Sequence, residues 1–167
     1  MSGNDKRAAE KSNADDDAGQ IKPDDNRDAF LQYFVDVVNN NPGLAVSVTL
    51  NVSGIIVSGR IASRKEYFEL LGDQVSRHLN VPDELAGKVG AYIKSFGVDE
   101  SEEGERTDQA AKDLTHIHYI HLSDARIFHN SGNPIPYEGG LLWRCRIDSV
   151  DAFSIGRLES ETSALSI

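Results

Sequence analysis

With one cysteine, Cys145, in 167 residues, the chain can form no internal disulfide, so the fold must rest on burial and hydrogen bonding alone. It also lacks any cluster of basic residues: 17 Lys and Arg stand against 27 Asp and Glu, a net charge of -10. A surface of that sign repels phosphate backbones and anionic lipid, because nucleic-acid affinity rests largely on cationic contacts. Nucleic acid and membrane are therefore not expected as partners. No stretch approaches the roughly 20 apolar residues that span a bilayer, and the first 28 residues hold no hydrophobic segment of signal-peptide type. A cytoplasmic location is the expectation. The usual catalytic patterns are missing too. No Gly-x-Ser-x-Gly elbow is present, Gly54 and Gly59 do not bridge a strand and a helix start as a phosphate loop does, and carboxylates crowd only into segments without apolar residues to hold their geometry. The chain reads as non-enzymatic, with no cofactor.

What is present is a well-determined hairpin. Over residues 44–52 every even position is apolar (Leu44, Val46, Val48, Leu50, Val52), and the intervening residues are small or polar. That period of two marks a strand with one buried face. Ser53-Gly54 then supplies a two-residue turn, because Gly takes the positive φ such turns need. Setting Val52 opposite Ile55 pairs Leu50 with Val57, Val48 with Gly59 and Val46 with Ile61, and a slip of one residue would turn the apolar set toward water.

Ahead of the hairpin, Phe30, Tyr33, Phe34, Val37 and Val38 recur at helical spacing from about Asp28, and Asn39-Asn40-Asn41-Pro42-Gly43 ends that helix. Behind it, Ser63 and Glu66 form the signature of a capping box before Tyr67, Phe68, Leu71, Val75 and Leu79. Pro82 can start a shorter helix with Leu85, Val89, Tyr92, Ile93 and Phe96 on one side. Strand patterns return at residues 117–122, 126–128, 141–147 and 153–158. Two early strands, helices and then a late group of strands exclude a doubly wound α/β sheet. The expected fold class is α+β: a small antiparallel β-barrel or strongly twisted sheet of Sm-like or SH3-like kind, with an N-terminal helix and a helical insertion between strands 2 and 3. Residues 1–27 are too polar to fold and should be a disordered acidic tail. Residues 28–159 form a single domain, in which residues 99–113, with seven acids, make a mobile acidic insertion. Residues 160–167 are a short C-terminal tail.

Three groups could carry chemistry. His116, His118 and His121 lie close together; in a strand the first two share a face about 7 Å apart and the third points away. Two imidazoles on a face fall short of the three or four ligands zinc takes, so the metal expectation is none, and the histidines read as an exposed face able to titrate. Cys145, in an apolar strand, reads as a small buried side chain and not a nucleophile. Arg144 and Arg146, joined by Arg126, sit on an outward face and form a possible cationic interaction patch for an acidic partner or for the chain's own tails.

Six stretches point to a family. Leu31-Gln32-Tyr33-Phe34-Val35 leads into the hairpin residues 48–59 and then Lys65-Glu66-Tyr67-Phe68; later come Ile120-His121-Leu122, Trp143-Arg144 and residues 147–158. In order and spacing this pattern resembles the gas vesicle accessory protein U (GvpU-like) family over most of residues 30–158. The long acidic N-terminus, residues 81–115 and residues 130–140 depart from it. The resemblance implies a non-enzymatic accessory protein of gas-filled buoyancy organelles, associated with gas vesicles in the cytoplasm. Such a protein would bind vesicle shell proteins or self-associate as a homo-oligomer and so influence vesicle clustering or assembly. The alternative from fold analogy is an Sm-like RNA-binding module.

Overall fold

The computed structural model describes residues 26–98, 114–129 and 133–158. The expected tails and the acidic insertion at residues 99–113 fall outside them, apart from the last two residues of the first tail. In chain order the elements are α1 (Ala29–Asn40), β1 (Val46–Val52), β2 (Ile55–Ile61), α2 (Arg64–His78), α3 (Asp83–Ser95), β3 (Tyr119–Phe128), β4 (Pro134–Ile135), β5 (Leu141–Arg146), a 3-10 turn (Ile147–Ser149) and β6 (Ala152–Ile155).

The hairpin has the register its sequence demands. Val52 pairs with Ile55, Leu50 with Val57, Val48 with Gly59 and Val46 with Ile61. Both turn residues take positive φ, Ser53 at 52° and Gly54 at 82°, as a type I′ turn requires. Asn51 Oδ1 accepts from the Gly54 N–H at 2.9 Å, and an Asp151 carboxylate oxygen accepts from the Ser53 N–H. Leu44 and Ala45 are left outside the strand and exposed.

All pairings are antiparallel, and the sheet runs β4-β3-β2-β1-β6, with β5 beside the first part of β3. The fold is thus α+β. The barrel alternative is not met, because the described strands form an open sheet in which β5 and β6 do not pair. The sheet still curls. A flat crossing from β5 to β6 spans four interstrand steps, about 19 Å, yet only residues 147–151 join them, and three of those are wound in the 3-10 turn. Backbone bonds from Ile147 N to His118 O (3.0 Å) and from Asp151 N to Asn51 O (2.9 Å) anchor the two ends of this link.

Helix α1 fills the inside of the curl. Leu31, Val35 and Val38, at i, i+4 and i+7, pack with Val48, Leu50, Val57, Ile61, Ile120, Leu122, Ala125 and Ile147. Residues from both edge strands, Trp143 and Cys145 on β5 and Phe153 on β6, close on the same cluster. Each fully buried aliphatic contributes roughly 1.5–3 kcal/mol. Asp28 caps α1, its Oδ1 accepting from the N–H groups of Phe30 (2.8 Å) and Leu31 (2.9 Å). The stripe read from the sequence is rotated. Phe30 and Tyr33 are exposed, and Phe30 meets Phe34 edge-on at the rim and lies tilted against Phe153. The compact aliphatics interdigitate with the sheet better than the rings do.

Ser63 caps α2 by accepting from Glu66 N at 3.1 Å, while the Glu66 carboxylate turns to Arg60 on β2. Helix α3 packs against α2 through small residues. Ala86 and Gly90 face Gly72 and Ser76, and Ser76 Oγ donates to the carbonyls of Gly72 (2.9 Å) and Ala86 (3.1 Å). The apolar side expected of α3 is therefore largely uncovered, with Leu85, Tyr92 and Phe96 exposed.

Candidate functional site

A cleft of about 320 Å³ opens where the end of α1, the start of α2, the end of α3 and the entry to β3 meet β5. Asp36, Asn39 and Asn40 come from α1, Arg64 and Phe68 from α2, Phe96 from beyond α3, residues 116–119 and His121 from β3 and its lead-in, and Arg144 from β5. The strand register explains the juxtaposition. Pairing of Tyr119 with Arg146 and His121 with Arg144 puts an aromatic, an imidazole and two guanidinium stems on the sheet face away from α1.

His121 is the centre of this arrangement. It is 5% exposed, with the Tyr67 ring 4.6 Å from its centroid and the Phe68 ring 5.7 Å away, edge-on. Its Nε2 accepts from Arg144 Nε at 3.2 Å. An imidazole that accepts at Nε2 is neutral and carries its proton on Nδ1, and that Nδ1 is buried with no hydrogen-bond partner among the described residues. Burial, then the positive charges of Arg144 and Arg64, bring the His121 pKa down to about 4, in keeping with the geometry. Tyr67 responds to the same environment, its phenol pushed above the ordinary value by burial, with Arg144 opposing.

Arg144 is held on two sides. Its guanidinium carbon lies 3.5 Å from the centre of the Tyr119 ring, a cation–π stack, and its Nε–H is committed to His121. Among the described residues its two terminal nitrogens have no hydrogen-bond or ion-pair partner. Arg64 donates from Nε to Phe96 O at 2.8 Å, and its backbone N–H is received by Asn39 Oδ1, also at 2.8 Å. Asp36, almost fully buried, accepts from the Asn40 side-chain amide at 2.8 Å.

The family model for GvpU-like gas vesicle proteins matches residues 28–158. The chain belongs to the GvpU-like family. Neither the curated proteins nor the solved structures give a match. The matched segment includes every described element, and so the cleft as well. Membership makes this a gas-vesicle-related protein of an accessory family, and no helix among the described residues is long and apolar enough to cross a membrane.

The three arginines singled out in the sequence have separate surroundings in this GvpU-like fold. Arg144 lines the cleft. Arg146, two residues on, pairs with Asp148. Arg126 lies farther along β3, beyond an irregularity in the ladder, and donates from Nε to Gly139 O at 3.2 Å. The histidines are arranged otherwise than their spacing implied. β3 begins at Tyr119, so His116 and His118 lie in its lead-in, and all three line the cleft. Arg27 secures that lead-in through Thr115 O (2.7 Å), Ile117 O (3.0 Å) and His118 Nδ1 (2.8 Å). Among the described residues no group of three or more His, Cys, Asp or Glu is placed to hold a metal. Cys145 packs on the core, and burial, followed by Asp148, raises its thiol pKa, which disfavours the thiolate.

Sequence reasoning missed Tyr119, Arg64, Asp36, Asn39, Asn40 and Phe96 as members of one site. The signal was in two short alternations, Tyr119-x-His121 and Arg144-x-Arg146. Aligned as antiparallel neighbours, these put an aromatic, an imidazole and two guanidinium groups on one face without fixing which arginine lies over the ring.

Proposed function

We propose that this chain is a non-enzymatic accessory protein that adheres to gas vesicle shell protein and to itself, and thereby influences how vesicles cluster or assemble. The match to the GvpU-like family over residues 28–158 carries this reading. The open sheet supplies a physical means. β6 pairs only with β1 among the described strands, so its outer edge offers backbone groups to an added strand. Beside that edge Phe30 is 60% exposed and Ile155 is 53% exposed, which gives an incoming strand apolar area to cover. The net charge of -10 opposes close approach of two copies and makes their association weak and salt-dependent. The RNA-binding alternative finds no support: of the three arginines, Arg146 is paired with Asp148 and Arg126 donates to Gly139 O.

Light scattering of the full chain, together with cosedimentation with purified vesicles, tests the reading. Self-association and pelleting are expected, both weakened by Ile155→Lys, which places a charge on the β6 edge. A chain that stays monomeric at all salt concentrations and never pellets with vesicles would count against it.

A further inference from the structure

Among the described residues Arg144 is an arginine without an anion. Of its five N–H donors, the one on Nε is used by His121 and the guanidinium plane is fixed by Tyr119. The four on its terminal nitrogens lack an acceptor among the described residues. Arg146, on the same strand face, is by contrast paired with Asp148. A guanidinium held from behind by an imidazole lone pair and a tyrosine ring has little side-chain freedom left to lose on binding. Its holder is unusual as well. To accept from Arg144, His121 keeps its proton on a buried Nδ1 that has no hydrogen-bond partner among the described residues, an arrangement that costs folding stability and leaves Arg144 directed at the cleft.

From these observations we infer that the cleft is a binding site for a carboxylate monoanion carrying an apolar group, gripped by the terminal nitrogens of Arg144. Two parallel N–H donors match the two oxygens of a carboxylate. The apolar part of the lining is Phe68, Phe96 and Ile117, with the two rings 5.9 Å apart, beside the polar Asn39, Asn40, His116 and His118. A volume of about 320 Å³ admits the carboxylate together with a side-chain-sized apolar group. A free carboxylic acid and the C-terminal carboxylate of a peptide with an apolar last residue present the same chemistry. The inference concerns this cleft alone and stands apart from adhesion through the sheet edge.

Calorimetry and NMR titration of the full chain test it with five probes: phenylacetate, phenylacetamide, inorganic phosphate, and a short peptide ending in Phe in its free-acid and in its amide form. Saturable one-to-one binding of phenylacetate or of the free-acid peptide is expected, at least tenfold tighter than the matching amide and tighter than phosphate. If the small acid binds, the source is a free metabolite-sized acid; if only the peptide binds, it is a chain terminus. Arg144→Gln should weaken binding at least tenfold. Arg144→Lys, which keeps the charge and the bulk, should weaken it less, and Arg146→Gln should leave it unchanged. Equal binding of acid and amide, preference for phosphate, no binding of any probe, or full affinity in both Arg144 variants would overturn the assignment. The acid-to-amide comparison is made on the unaltered chain, so it decides the matter even where a variant fails to fold.

Discussion

Lowering the pH from about 7 to about 5 should destabilise this fold through a single side chain, His121. Its ring is buried between Tyr67 and Phe68, and burial, with Arg144 and Arg64, brings its pKa from the ordinary 6.5 to about 4. The unfolded chain takes up a proton near the ordinary value, whereas the folded chain stays neutral until about pH 4. Stability is therefore fully present above the unfolded pKa, is lost progressively as pH falls toward the folded pKa, and changes no further below it. At about pH 5 position 121 is almost wholly protonated in the unfolded state and hardly at all in the folded one, a loss of roughly 2 kcal/mol relative to pH 7. Urea denaturation at the two pH values, on the wild type and on His121→Gln, isolates this contribution. Glutamine keeps an oxygen able to accept from Arg144 but does not titrate, and all other titrating groups are common to both proteins. The wild type should lose about 2 kcal/mol more than the variant between the two conditions. Equal losses would refute the claim that His121 is buried in its neutral form.

Two glycine substitutions three residues apart on α3 should have opposite signs. Gly87→Ala meets nothing within 4 Å and should stabilise by about 0.5–1 kcal/mol, read as a rise in Tm. Gly90→Ala would put a methyl 1.9 Å from Ser76 Oγ and 2.9 Å from Gly72 O, so it should destabilise by about 1–3 kcal/mol in the same measurement. Gly140→Ala would bring its Cβ to 2.4 Å from Asp124 Cα, and chemical denaturation should record a loss of about 2 kcal/mol or more, since backbone must move. Asp28→Ala removes the acceptor for the first N–H groups of α1 and should cost about 1 kcal/mol by urea denaturation.

The hairpin was legible in full because period two, a two-residue turn and one buried face each demand the same register. The helices were legible in position but not in rotation. Between Phe30 and Val38 most residues are apolar, so periodicity alone admits several faces; packing against a curled sheet selects Leu31, Val35 and Val38. On α3 the large residues drew the eye, yet close approach to α2 needs small ones, and Ala86 and Gly90 form the contact. The cleft was the least legible feature. Its walls come from five parts of the chain, and no local spacing encodes that Arg144 will lie over Tyr119. Arg144 was visible as a candidate only because it alternates with apolar residues on β5.

One residue reconciles the core with the cleft. Along β3 the buried apolar residues are Ile120 and Leu122, then Ala125, with Ile127 packed behind it, so the parity changes midway. In a regular strand one of these pairs would point away from α1. The ladder absorbs the change with a bulge. Ser123 pairs with Arg60 and Arg126 with Ser58, so β3 carries one residue more than β2 there, and it carries one more than β5 between Leu122 and Ala125. Asp124 sits in that extra place with φ of 49°. Gly59 and Gly140 flank it, each leaving room that a side chain would fill. Arg157 fixes it from the C-terminal side, donating to the Asp124 carboxylate at 2.6 Å and to its carbonyl at 3.1 Å. The hydrogen bond from Arg157 is the main reason the Asp124 carboxyl pKa lies below its usual value. The bulge lets apolar side chains meet α1 along the whole length of β3, while Tyr119, His121 and Arg126 all stay on the opposite face. The cleft thus depends on an irregularity that alternating patterns, read one segment at a time, divide into two unrelated strands.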